Sequence, residues 1–243
     1  MRERPIIFDA ESVKAILAGR KTMTRRVIKF PHEGMKDWAF VDVLTTLGYP
    51  ASEDRAWAGF AKPSVGAEDP FFVGCPYGKP GDRLWVRETF QLEDASEYGL
   101  DAADAPEGPV RVEDRGPDWG EATLIPRYRA TQPDTLLEID HADDGQPIMR
   151  WRSPLFMPRW TSRITLEVTA VRAERLQDIT EADIRAEGAL VWSLPDGSKT
   201  SLDRDHRVTF ARRWDALNAK RGYAWETNPW VWVVSFKRTK EEA

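Results

Sequence analysis

Cysteine and histidine are almost missing from this chain of 243 residues, which holds one Cys and three His. A lone Cys75 excludes an internal disulfide, and His32, His141 and His206 are scattered too widely to build a structural zinc site. No metal or other cofactor is expected. No run of 18 apolar residues occurs, which removes a membrane-spanning helix. The segment from Met1 to Pro5 runs straight into Ile6-Ile7-Phe8 without the apolar stretch of a signal segment, so the expectation is a soluble, cytoplasmic protein with no membrane partner. No repeat at a solenoid period is present either. What the chain does have is 41% apolar and 31% charged residues, enough to build a real core.

A surplus of positive charge is also lacking, the net charge being −5, but the charge is unevenly placed. Residues 91–122 carry ten acids against Arg111 and Arg115, a local −8 that leaves +3 for the remainder. Between Arg2 and Lys29, eight basic residues face three acids, a local +5. That local field, rather than the total, is what a phosphate would meet.

Three stretches combine Gly, Pro, Asp and Ser with little periodicity and read as insertions, at about 31–79, 91–122 and 192–204, within a single domain spanning 1–243. Ordered segments alternate with them. A short strand is predicted at Pro5 to Phe8, then Asp9 as an N-cap, a helix through Val13, Ile16 and Leu17, and Gly19 as its C′ residue. Lys79-Pro80-Gly81-Asp82 has the order of a type II turn, and Arg83 to Phe90 alternates as a strand that carries Glu88 on one face. Further strands are expected around Thr123 to Thr131, at Ile164 to Ala170 and at Trp230 to Phe236. Thr180 with Asp183 resembles a capping box, which predicts a short helix over 181–187 that stops at Gly188. A second helix is expected over 206–219 with Val208, Ala211, Trp214 and Leu217 facing inward. The pattern is α+β: a mixed, mostly antiparallel sheet curled towards a small β-barrel, with flanking short helices and long loop insertions.

Gly19-Arg20-Lys21-Thr22-Met23-Thr24-Arg25-Arg26 places four cations and two hydroxyls in eight positions directly after a helix. Two readings stand side by side: a solvated turn whose cations complement the helix's negative end, or a site that meets negative charge. A regular strand from Lys21 to Thr24 would send these side chains to opposite faces, so a joint role needs a turn or bulge between them. Ser153, Arg159, Trp160, Ser162 and Arg163 combine guanidinium forks with an aromatic plane, as phosphate gripping and base stacking need. With eleven Trp in the chain, most of which must be core or lid residues, the core or lid reading is the stronger one for Trp160. Glu88 is either a second acid in the cleft or, the favoured reading, the partner of a cleft arginine. Asn228-Pro229-Trp230 reads as a turn with an anchoring indole. Cys75 lies in a Gly- and Pro-rich loop without a base partner, a poor setting for a thiol nucleophile.

The series as a whole resembles the ASCH domain family, relatives of the PUA RNA-binding fold. Leu17-Ala18-Gly19-Arg20-Lys21 through Arg26 is similar to the family's Gly-x-Lys signature with downstream Arg, and Pro80-Gly81-Asp82-Arg83-Leu84-Trp85-Val86 to its Gly-Asp strand entry. Ile164 to Ala170, Leu176 to Glu187 and Val231 to Lys237 resemble its later strand, helix and last strand. The long form, with Cys75-Pro76-Tyr77-Gly78, Arg87-Glu88-Thr89-Phe90 and Met157-Pro158-Arg159-Trp160, looks like members carried by bacteriophages and prophages. The resemblance implies a PUA-like barrel with a cleft for a nucleobase or nucleotide. Small bacterial members remove the acetyl group from N4-acetylcytidine with a Lys, a Thr and a Glu, which match Lys21, Thr24 and Glu187.

Chemistry permits those roles. A Lys at its reference pKa of about 10.4 is neutral in about one molecule in 2500 at pH 7, so a base role needs a fall of roughly three units, through burial and the like charge of Arg20, Arg25 and Arg26. Glu187, at a helix C-terminus, is pushed towards a usable general acid by the dipole. Lys21 would then activate Thr24, Thr24 attack an acyl carbon, and Glu187 protonate the leaving amine. The competing reading is a plain Lys21–Glu187 ion pair that keeps Lys21 protonated. The leading function is thus recognition of a modified pyrimidine nucleoside, nucleotide or short single-stranded RNA, with hydrolysis of an N-acyl amide as the concrete reaction. The alternatives are a non-catalytic reader of RNA or modified DNA, a ribonuclease, and a phage interaction protein.

Overall fold

The computed structural model describes residues 1–31, 33–35, 37–41, 55–62, 71–94, 111–114, 121–132, 151–188 and 206–239. Eleven strands and three α-helices appear among them: β1 (Glu3–Ile7), α1 (Ala10–Leu17), β2 (Met23–Val27), β3 (Ala39–Val41), β4 (Trp57–Ala61), β5 (Phe71–Gly74), β6 (Arg83–Arg87), β7 (Phe90–Asp94), β8 (Arg111–Asp114), β9 (Glu121–Tyr128), β10 (Thr165–Arg175), α2 (Glu181–Ala186), α3 (His206–Asn218) and β11 (Trp230–Arg238). The class is α+β. No helix among the described residues is long and apolar enough to cross a membrane.

The largest sheet runs β1-β6-β10-β11-β2. Arg83 N donates to Arg2 O and Phe8 N to Arg87 O, so β1 and β6 run parallel. The pairs β10–β11 and β11–β2 are antiparallel, with a register shift between Val168 and Ala170, so the sheet is mixed. Its order has two ends, β1 and β2, and no closed barrel forms among the described residues. Two three-stranded sheets, β3-β4-β5 and β7-β9-β8, are antiparallel throughout.

The chain divides into two compact units, the first comprising 1–4, 15–84 and 166–238 and the second 5–14, 85–165 and 239–243. In the first, Val231 and Val233 of β11 meet Leu176, Ile179, Ile184, Phe210 and Trp214, with Met23 and Val27 of β2 packed against them. Phe30, Phe40, Phe60 and Trp230 form an aromatic group, and the Trp230 indole donates to Trp38 O at 3.0 Å. The second unit is centred on Phe90, Tyr128 and Met157.

Several expectations need correction. The stretches read as irregular insertions hold strands, β3, β4 and β5 within 31–79 and β8 with parts of β7 and β9 within 91–122; Trp57–Ala61 and Phe71–Gly74 are apolar on both faces and so lack alternation. The insertion at 192–204 lies outside the described residues. The strand expected over Arg83 to Phe90 is two strands. It breaks where Glu88 N donates to Met157 Sδ at 3.2 Å and Arg129 N to Thr89 O at 3.1 Å. In α3 the buried residues are Phe210 and Trp214, while Val208 and Leu217 are 46% and 50% exposed. The helix is oriented by the stacked Phe210–Trp214 pair and by the Trp214 indole donating to Tyr223 O at 2.7 Å.

Candidate functional site

Two helix ends bring Lys21 and Glu187 together across 166 residues of sequence. Asp9 Oδ1 accepts from Ser12 N and caps α1; past its end, Gly19 adopts φ +70°, so that Arg20 N and Lys21 N both donate to Ala15 O. Thr180 Oγ1 accepts from Asp183 N at 3.2 Å and caps α2, and Glu187 is the residue that closes it. Gly188 follows with φ +80°, and a Cβ there would lie 3.0 Å from Ala15 Cβ and 3.1 Å from Lys21 Cβ. Glycine is therefore what lets the ends of α1 and α2 approach closely enough for Lys21 and Glu187 to form an isolated antiparallel bridge.

Both side chains are buried, Lys21 and Glu187 each being 5% exposed. Lys21 Nζ donates to Glu187 Oε2 at 2.6 Å and to Glu187 O at 3.0 Å. The contact has the geometry of the plain ion pair as well as that of an acid–base pair, because the heavy-atom distance is the same whichever partner holds the proton. Glu187 Oε1 lies 3.5 Å from Arg25 Nη1, close enough to feel its charge, yet it accepts no hydrogen bond.

Thr24 is 2% exposed and pairs with Val234 of β11. Met23 and Val27 face α2 and α3, so alternation puts Arg25 on that face and Thr24 on the other, beside Val234. This alternation does not extend back to Lys21. Thr22 sends its N–H to Ala186 O and its C=O to Phe236 N, so the chain changes partners at Thr22. Thr24 thus lies on the face of β2 opposite to Arg25, the residue that approaches Glu187.

Arg25 meets three carboxylates. Its Nη2 donates to Glu174 Oε1 at 2.5 Å and to Asp183 Oδ2 at 2.7 Å, and its side chain is 1% exposed. Arg172, on the outer side, donates from Nε to Glu174 Oε2 at 2.8 Å and from Nη2 to Asp183 Oδ2 at 2.9 Å. Three cations (Lys21, Arg25, Arg172) thus balance three anions (Glu174, Asp183, Glu187). Burial by itself raises the Asp183 carboxyl, but the hydrogen bond and charge of Arg25, the charge of Arg172 and the Thr180 contact outweigh it and hold the group below its ordinary value. Arg172 and Glu174 were missed in the sequence. Asp183 was noticed only for its place in the cap, yet its carboxylate turns to the arginines.

The other residues singled out lie elsewhere. Arg20 is exposed. Arg26 hydrogen-bonds the Tyr77 hydroxyl, which burial holds above its ordinary value. In the second unit, Arg163 donates from Nε and Nη2 to the two oxygens of Glu88 at 2.9 and 3.0 Å. It also lies 3.9 Å from the Tyr128 ring centre. Burial pushes the Glu88 carboxyl up, and Arg163 reverses only part of that. Arg159 reaches Thr165 Oγ1 at 3.5 Å, Trp160 is half-buried under Arg111, and the Ser162 hydroxyl donates to Val86 O at 2.8 Å. The Cys75 thiol is fully buried and pushed up to about 11. No group of three or more metal-binding side chains occurs among the described residues. No protein-family model matches this chain, and neither a curated protein nor a solved structure does.

Proposed function

We propose that this chain is an ASCH-type, PUA-like cytoplasmic protein that binds a modified pyrimidine nucleoside or nucleotide and hydrolyses an N-acyl amide on it. The observation that carries this reading is the buried Lys21–Glu187 contact at 2.6 Å, whose second carboxylate oxygen is left without a hydrogen bond. A pair removed from water favours the neutral form over the charged one. With the shared proton on Glu187, Lys21 is an amine. It takes the Thr24 proton as the Thr24 oxygen bonds to the acyl carbon, and Glu187 gives its proton to the nitrogen as the C–N bond breaks. This leaves Lys21 protonated and Glu187 ionised. Attack of water on the acyl-threonine, with its proton going to Glu187 and that of Lys21 returning to the Thr24 oxygen, restores the start.

The arginines favour a small ligand over a long strand. Arg25 is held by carboxylates, Arg26 by Tyr77 and Arg163 by Glu88, so each of these three is already engaged by a protein group rather than offered to a phosphate backbone. The test is turnover of N4-acetylcytidine and other N-acylated nucleosides, separated by chromatography. Lys21→Ala, Thr24→Val and Glu187→Gln are each expected to lose about 100-fold or more in kcat/KM. Undiminished turnover by Thr24→Val, a substrate-bound Lys21 pKa at its reference of about 10.4, or no turnover of any member by the unaltered protein overturns the reading.

A further inference from the structure

We infer that Arg25 is a positioning residue which sets where the proton sits in the Lys21–Glu187 pair, through the division of its charge among Glu174, Asp183 and Glu187. This deepens the amidohydrolase reading and rests on it. A guanidinium buried to 1% stays charged and cannot itself exchange protons usefully. Its effect on Glu187 is therefore electrostatic. Undivided, that charge at 3.5 Å from Oε1 would hold Glu187 ionised and Lys21 protonated, the state in which Lys21 is no base. The charge is divided. Nη2 is taken by Glu174 and Asp183 at 2.5 and 2.7 Å, whereas the contact to Glu187 is the longest of the three and lacks hydrogen-bond geometry. Arg25 Nε is buried with no acceptor and Nη1 donates to Met23 Sδ at 3.6 Å, so the guanidinium is aimed by Glu174, Asp183 and Met23 and not by Glu187.

Among the described residues, the charged groups linked to the pair are Lys21 itself before β2, Arg25 on β2, Arg172 and Glu174 on β10, and Asp183 on α2. From β11 and α3, Val231, Val233, Phe210 and Trp214 join the apolar cluster against which Met23 and Val27 of β2 pack, and the His206–Glu181 pair joins the start of α3 to an exposed Glu181. Arg172 in turn shares Glu174 and Asp183 with Arg25. Less of their charge is then left to screen Arg25, so Arg172 strengthens the hold of Arg25 on Glu187. The proton's place in the buried pair is thereby linked to a partly exposed arginine.

The test uses the full chain with 13C-labelled Glu side chains, following the Glu187 carboxyl through a pH titration by NMR, with assignment by Glu187→Gln. Arg25→Gln removes the cation, and the Glu187 midpoint is expected to rise by about one pH unit or more, a tenfold change in proton affinity. Asp183→Asn keeps Arg25 and removes a competitor for its charge, and the midpoint is expected to fall by a similar amount. Arg25→Lys, which keeps charge without the fork, should fall between Arg25→Gln and the unaltered protein. Opposite shifts of this kind are not produced by loss of packing. If Arg25→Gln fails to fold, Asp183→Asn, altered at a partly exposed group, still decides the matter. An unchanged Glu187 midpoint in Asp183→Asn, or shifts of the same sign in both variants, overturns the inference. These readouts need no substrate, so absence of turnover would fail the amidohydrolase reading while leaving the electrostatic role of Arg25 separately decided.

Discussion

Glu88 and Asp183 are both carboxylates held by arginine, yet folding moves them in opposite directions. Burial dominates at Glu88, which is 1% exposed, and its carboxyl lies above the ordinary 4.5 despite two hydrogen bonds from Arg163. At Asp183 burial is outweighed by Arg25 and Arg172 together, and the group lies below its ordinary 3.8. Linkage fixes the sign of each effect. Because the folded state binds the Glu88 proton more tightly than the unfolded chain does, the contribution of Glu88 to stability declines as pH rises from 4.5 through its folded value. The contribution of Asp183 is fully present above 3.8 and is lost as pH falls through its folded value. Urea unfolding at intervals between about pH 3 and 7 separates them. The deficit of Asp183→Asn relative to the unaltered protein should shrink on acidification, while Glu88→Gln should gain relative to it as pH rises above 4.5. A deficit for Asp183→Asn that is constant with pH would remove the charge-based account of that site.

The position of Gly188 ties one element to the next, since its φ of +80° ends α2 and its missing Cβ admits Lys21. Gly188→Ala should cost about 1–2 kcal/mol for the left-handed backbone alone. A further loss follows from contacts at 3.0 and 3.1 Å that displace Ala15 or Lys21. The urea midpoint measures the sum, and the same variant should lose activity with N4-acetylcytidine, because Lys21 moves from Glu187; retention of both would show that the approach of α1 and α2 does not depend on glycine. At this scale much was legible. Asp9 and Thr180 as caps, Gly19 and Gly188 as stops, and the turn at Lys79 to Asp82, with Gly81 at φ +89° and Asp82 N bonded to Lys79 O, follow from local chemistry. Strands apolar on both faces, such as β4, carry no period-two signal and were hidden among Gly and Pro. The inward face of α3 was misread because Val208 and Leu217 have helical spacing, whereas the Phe210–Trp214 pair and the bond to Tyr223 decide its orientation.

Where the charges of the chain are engaged, not only where they lie in the sequence, decides what class of ligand it can attract. The sequence shows a basic stretch from Arg2 to Lys29, which alone reads as a phosphate-binding surface. Where its arginines point could not be read, because Glu174 and Asp183 are over 140 residues from Arg25, and Tyr77 lies in a loop with no pattern linking it to Arg26. Lys21, Thr24 and Glu187 were named from resemblance, and only the fold places Lys21 against Glu187. With Arg25, Arg26 and Arg163 held by protein groups, small counterion release is expected on binding a strand. Fluorescence anisotropy with a labelled single-stranded RNA is expected to give a Kd weaker than about 10 μM, with an affinity that changes less than about tenfold between 50 and 200 mM salt. A nanomolar complex with a steep salt slope would show that cations of the fold meet the phosphates. It would turn the reading from a nucleoside hydrolase to a nucleic-acid binder. Arg25→Gln would then discriminate further: in a binder it lowers the salt slope by about one phosphate contact, whereas in the arrangement described here it leaves RNA affinity unchanged and moves only the Glu187 titration.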